Sequence, residues 1–234
     1  MKLSLRLIVL LTSISLHSAI HSQTKSIYPF TVTENIKELN LMVSKNPMME
    51  LVELKSIVPN IKYDLRYAQK TNFTSHRLYP KRLKITYLRK EAAVALKSVA
   101  LELEQLGLGI LVWDAYRPFS VTEKFWDLIH DERYVANPMK GSGHNRGISI
   151  DMTIYDLKSG SPVDMPTGFD DFSEKAYHGY QNLTDNKIKN RDLLKSVMEK
   201  NGFIKFETEW WHYSLPTPSK YDILDIPFQR LNQK

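Results

Sequence analysis

The chain contains no cysteine. Disulfides, a thiol nucleophile, thiolate metal ligands and lipid attachment through sulfur are therefore excluded, and any metal must be held by His, Asp or Glu. A membrane-spanning run is also missing. The most apolar stretch, Leu7 to Leu16, is ten residues long, against the roughly 20 needed to cross a bilayer. No internal repeat or low-complexity tract appears. The charge imbalance is small, a formal +6, and reads as lacking a concentrated basic stripe. Nucleic acid is therefore not an expected partner, and at most a weak affinity for anionic envelope polymers follows.

What is present suits a single domain with a sizeable core: 234 residues, 42% hydrophobic and 25% charged. Lys2 and Arg6 precede the apolar run and HSAIHS supplies small residues after it, the layout of a secretory signal. Residues 1–22 are therefore expected to be removed on export to the periplasm or the cell exterior. The mature chain would have no stable membrane insertion and a charge lowered from +6 to +4. Residues 23–50 read as a polar N-terminal arm with a short helix at Glu34 to Val43, before the Asn46-Pro47 turn. Residues 51–228 form the domain and 229–234 a tail.

Within the domain, Leu88, Ala92, Leu96, Val99, Leu103 and Leu106 share one helical face, with Gly107 as the stop. Ile110 to Trp113 reads as a buried strand. Ser120-Val121-Thr122-Glu123 fits a capping box and places a helix start at Ser120. A third helix is expected from about Arg191 to Lys200, and Phe203–Phe206 and Trp210–Ser214 look extended. Helices and strands mix without a regular βαβ rhythm, so the class is α+β.

The chemistry centres on GSGHNRGISIDMTI, residues 141–154. From Gly147 onward, Ser149, Asp151 and Thr153 alternate with Ile148, Ile150, Met152 and Ile154, so a strand would bury the second set and present Asp151 on the other face. His144 precedes that strand in a glycine-flexed loop. Alone, a histidine in a glycine-rich loop is more often structural or solvated than a metal ligand. A second stretch, Glu209-Trp210-Trp211-His212, sets two ionisable groups beside an apolar wall, which calls for a reason. One reading is a surface strand with both groups pointing outward. The other is zinc held by His144, Asp151 and His212 with a fourth position open, and Glu209 beside it as base. Residues three apart on a regular strand face opposite ways, so Glu209 and His212 can share a site only across a bend or at a strand end.

S-G-H-N-R-G-x-x-x-D followed by E-W-W-H resembles the zinc D-alanyl-D-alanine dipeptidases, which include vancomycin-resistance dipeptidases and are related to zinc D-Ala-D-Ala carboxypeptidases. YDLRYAQKTNF (63–73) and WDAYRP (113–118) extend the likeness in the same order. The resemblance implies a zinc carboxypeptidase/hedgehog-like fold, with a mostly antiparallel central sheet flanked by helices. It also implies one zinc ion per chain on His144, Asp151 and His212. Glu209 would be general base to a metal-activated water, and Arg117 would stabilise the oxyanion. Asp170 would bind the substrate ammonium, and Ser142 would also bind substrate. The implied reaction is hydrolysis of D-Ala-D-Ala to free D-alanine, with peptidoglycan fragments as a second class of partner. Ser149 departs from the family's usual alanine, adding a hydroxyl near Asp151. Two alternatives stay open: a D,D-carboxypeptidase trimming longer wall peptides, and a non-catalytic zinc-stabilised binding module. A structural zinc site needs neither Glu209 nor Arg117, which weighs against the module.

Overall fold

Alternation in the segment Ser149–Asp156 builds the centre of the molecule. The computed structural model describes residues 27–231, so the expected signal segment lies outside the described residues. In chain order its elements are β1 (Val32–Thr33), α1 (Ile36–Lys45), β2 (Leu51–Glu53), β3 (Ile61–Tyr63), β4 (Tyr87–Arg89), α2 (Lys90–Gln105) and β5 (Leu108–Asp114). Then come α3 (Phe119–Ile129), β6 (Ser149–Asp156), α4 (Asp185–Lys200), β7 (Ile204–Phe206), β8 (Glu209–Ser214), β9 (Ile223–Leu224) and α5 (Phe228–Leu231). The main sheet has the order β3-β5-β6-β8-β7; β3 and β5 run parallel and every other pair is antiparallel. The class is α+β, as the element rhythm suggested.

Strand β6 lies in the middle of this sheet, and Ile148, Ile150, Met152 and Ile154 are all fully buried. They join Ala92, Leu96, Val99 and Leu103 of α2 and Leu194 and Met198 of α4 in one core. Each such aliphatic side chain contributes roughly 1.5–3 kcal/mol of transfer free energy. This core fixes the register of β6 against its neighbours, because a one-residue slip would turn the isoleucines towards the polar side.

Several local expectations are corrected. Leu88 belongs to β4, and α2 starts two residues later, at Lys90. Leu106 is 57% exposed, because the helix has already ended at Gln105 and Gly107 turns the chain at φ +74°. The capping box at Ser120 does not form. Helix α3 begins at Phe119, and both the Ser120 amide and hydroxyl donate to Asp225 instead. Helix α4 begins at Asp185, well before Arg191. In the arm, α1 covers Ile36–Lys45, while Val32–Thr33 pairs in parallel with Ile223–Leu224. Tyr28 and Phe30 pack edge-on against Phe119. Among the described residues no helix is long and apolar enough to cross a membrane.

Candidate active site

Sheet register does the first part of the assembly. Asp151 of β6 and His212 of β8 are direct cross-strand partners, so their side chains emerge side by side on the same face. His212 Nδ1 lies 2.8 Å from Asp151 Oδ1. His144 arrives from the loop before β6, with Nε2 3.4 Å from Asp151 Oδ2 and 3.3 Å from His212 Nδ1. One ligand atom from each of the three lies within 4.8 Å of the others.

The loop carrying His144 is shaped by its glycines. A Cβ at Gly143 would sit 1.9 Å from Ser149 Oγ, and Gly147 adopts φ +69° directly over Leu51. Both positions exclude ordinary side chains. Asn145, fully buried, fastens the loop: its amide donates to Arg117 O and Thr122 Oγ1, and its carbonyl oxygen accepts from the Ser142 amide. The Ser149 hydroxyl donates to Ser214 Oγ at 2.9 Å, so its hydrogen bond goes to the neighbouring strand rather than to Asp151.

Glu209 and His212 do share the site. On β7–β8, Lys205 pairs with Tyr213 while the next residue, Phe206, pairs with Glu209. That irregularity, at a residue that also begins β8, meets both conditions a three-residue spacing sets, a bend and a strand end. Glu209 Oε2 stands 3.7 Å from His212 Nδ1. Burial pushes the Glu209 carboxyl above its ordinary pKa, with Asp151 adding to the rise and His212 partly offsetting it. Burial would also raise Asp151, but His144 and His212 outweigh it and hold that carboxylate far below the usual range. Two neighbouring carboxyls thus have opposite proton affinities, the separation expected of a ligand and a base.

Arg117 lies beside them against the Phe125 ring, 4.7 Å from guanidinium carbon to ring centre. Its Nε and Nη2 both bond Asp114 Oδ2, at 3.0 and 2.6 Å. Asp114 is fully buried and also accepts from Tyr79 Oη at 2.5 Å and the Ala115 amide at 2.9 Å. Arg117 therefore makes the structural ion pair that a strand-end arginine suggests, yet it still lines the cavity. Asp170, at φ +58°, receives the Tyr67 hydroxyl at 3.1 Å. Burial and then the Asp151 charge raise its pKa well above the ordinary value, so a cationic guest is what would stabilise its ionised form.

His144, Asp151, His212, Glu209, Arg117, Asp170 and Ser142 all line one cavity of about 600 Å³. Tyr116 and Trp210 do not; both are fully buried, with polar atoms bonded to Ile226 O and Thr167 Oγ1. His130 caps α3 and His178 is buried outside the cluster. Sequence reasoning missed Tyr67, Tyr79, Asp114 and Asn145 as supports. Tyr67, Asp114 and Asn145 stood inside quoted motifs, but nothing in the spacing tied Tyr67 to an aspartate 103 positions away.

The donor set fits zinc. His144 Nδ1 donates to Ala115 O at 2.7 Å, which fixes the tautomer and leaves the Nε2 lone pair facing Asp151 and His212. Two imidazoles and one carboxylate are a common catalytic zinc set, with a position to spare. With a carboxyl of raised proton affinity and a fixed guanidinium alongside, these are the parts of a metal-dependent hydrolase.

Comparison with known proteins agrees with that class. Residues 48–230 match the Peptidase_M15 family, described as D-ala-D-ala dipeptidase. The chain is 35% identical over 180 residues to a D-alanyl-D-alanine dipeptidase of Escherichia coli (strain K12), covering 76% of this chain and 91% of that one. It is 33% identical over 198 residues to one from Enterococcus faecium (74% and 96% covered), and 31% identical over 189 residues to one from Enterococcus faecalis (72% and 94%). The chain belongs to the Peptidase_M15 D-ala-D-ala dipeptidase family, whose members are zinc metallopeptidases.

Proposed function

We propose that this chain hydrolyses the D-Ala-D-Ala dipeptide to two molecules of D-alanine, with zinc held by His144, Asp151 and His212. The observation that carries this reading is the convergence of those three side chains, Glu209 and Arg117 on one cavity, in a chain of dipeptidase ancestry. When bound, zinc supplies Lewis acidity that polarises the scissile carbonyl and makes water easier to deprotonate. Glu209 takes a proton from the attacking water as its oxygen bonds to the carbonyl carbon. It returns that proton to the amine as the C–N bond breaks, and its raised proton affinity suits both transfers.

Arg117, fixed by Asp114, sits where negative charge grows on the carbonyl oxygen; prior fixation spares the reorganisation that solvent would need. Asp170 receives the substrate ammonium, held in place by Tyr67, and Ser142 contributes a hydroxyl at the cavity wall. The expected export of the mature chain would bring it to wall-derived D,D-peptides.

A stereoisomer panel tests the reading. Zinc-loaded protein should release free alanine from D-Ala-D-Ala and not from L-Ala-L-Ala, and Asp170→Ala should lower dipeptide kcat/KM by about 10²-fold. A wall pentapeptide trimmed faster than the dipeptide, with little change in Asp170→Ala, would instead favour the carboxypeptidase.

A further inference from the structure

The modest net charge conceals a local concentration. Between Asp64 and Glu91 the chain has eight Lys or Arg residues and no Asp or Glu. Lys70, Arg77, Lys81, Arg82 and Lys84 of this segment are exposed. None of the five has a carboxylate partner among the described residues; the segment's one ion pair is Arg66–Asp64. In the segments supplying other parts of the cavity wall most cations are matched, as in Arg133–Asp131, Lys140–Glu132 and Lys205–Glu207, and the unmatched ones, such as Lys175, stand singly rather than five together.

The five cations belong to one compact, pre-ordered loop. Leu78 N and Tyr79 N both donate to Tyr67 O at 2.9 Å, Arg77 Nε donates to Ala68 O, and Asn72 Nδ2 bridges Gln69 O and His76 O. These bonds bring Arg77 back beside residues 68–70. Leu83 N closes a turn on Pro80 O, with Arg82 at φ +64°. The Tyr79 hydroxyl ties the loop to buried Asp114. A surface already folded in this way loses little entropy on binding.

The loop also touches the active site. Tyr67 and Phe73 line the main cavity, and Arg66, Thr71, Asn72 and Phe73 line a neighbouring one of about 240 Å³ with Asp170. The dipeptide does not account for the five cations: it is a zwitterion of no net charge, and its ammonium would be repelled by them. A bilayer is a poor fit, because none of the exposed large apolar side chains lies in this segment. A base-stacking nucleic-acid surface is a poor fit too, because Tyr67, Tyr79 and Tyr87 are buried. What remains is recognition by charge alone, with two of the five cations, Arg77 and Arg82, carrying guanidinium groups, which suit phosphate oxygens.

We propose that the loop of residues 66–84 is a docking surface for a phosphodiester-linked anionic polymer, holding the enzyme on it with the catalytic cavity alongside. Catalysis and docking are separate, so each can fail without the other.

The test uses the mature chain and labelled poly(glycerol phosphate), with fluorescence anisotropy from about 20 to about 300 mM salt. Binding should weaken steeply with salt. A Lys81→Glu/Arg82→Glu/Lys84→Glu variant should bind at least about tenfold more weakly, with D-Ala-D-Ala turnover unchanged. The milder Lys81→Ala/Lys84→Ala pair should show the same trend should the triple variant misfold. A control of equal charge change elsewhere, Lys124→Glu/Lys189→Glu/Lys220→Glu, should keep its binding. Equal losses in the two triple variants would reduce the effect to net charge and overturn the proposal. So would undiminished binding by the first variant, tighter binding to polyglutamate or to phosphatidylglycerol vesicles than to poly(glycerol phosphate), or a fall in dipeptide turnover with the fold intact.

Discussion

On one side of β6, Ile148, Ile150, Met152 and Ile154 are fully buried under α2 and α4. On the other, Asp151 is 4% exposed and Ser149 and Thr153 each 1%. Burial alone does not tell these faces apart; the partners of the ionisable groups do. The apolar side chains need only neighbours of fitting volume. Asp151 needs His144 and His212, and each of those needs its own support, such as Ala115 O behind His144. One face therefore has the energetics of a core and the other of a site, although they share a backbone 8 residues long. Histidines repeat the contrast. His144 and His212 are engaged on the polar face, whereas His178 packs against Tyr213 and neither of its ring nitrogens has a hydrogen-bond partner among the described residues.

Substitutions can break this contrast in either direction. The largest effect is expected from Glu209→Gln, which keeps the shape of the polar face and removes the carboxyl proposed as its proton carrier. Turnover should fall by roughly 10²–10⁴-fold, with zinc content and melting temperature preserved; near-normal turnover would remove Glu209 from the base role. Ile150→Ala should do the reverse. It should lower unfolding free energy by about 2–5 kcal/mol in urea titration, while the folded, zinc-loaded fraction keeps its turnover number. A specific loss of turnover there would mean that the two faces are not separable.

The smallest expected effect concerns acid. Burial, then the nearby Lys205 charge, pushes the His178 imidazole down to about 4, from about 6.5 in the unfolded chain. Between those values the unfolded state binds more protons, so stability rises with pH across the window. The contribution is complete above about pH 6.5 and is lost on acidification towards pH 4, by on the order of 3 kcal/mol at most. His178→Gln should flatten that part of the stability profile. An unchanged slope would assign the acid sensitivity to other groups.

Legibility in the sequence followed the same division. The apolar face of β6 showed as alternation and α2 as a periodic run, because burial against a core repeats with the backbone; of α4 only the part from Arg191 onward was expected. The seven residues proposed for the site were named from motif order and family resemblance, and all seven line one cavity. Their supports were not named: Tyr79 reaches Asp114 across 35 positions and Asp225 captures Ser120 across 105. That second contact overrides a locally plausible capping box, since a carboxylate brought in by the fold competes directly with the cap. The turn that lets Glu209 join His212 depends on a pairing irregularity that strand periodicity cannot express. The basic loop was in plain view, yet averaging charge over the whole chain hid it.

The most direct test of the central claim is the metal content of purified protein and of its His212→Ala variant after dialysis against dilute zinc. The ligand assignment predicts one tightly held zinc ion per parent chain and loss of it in the variant, with dipeptide turnover lost in parallel and the core still folded. A parent chain that holds no zinc, or a variant that holds it as firmly as the parent, would contradict it.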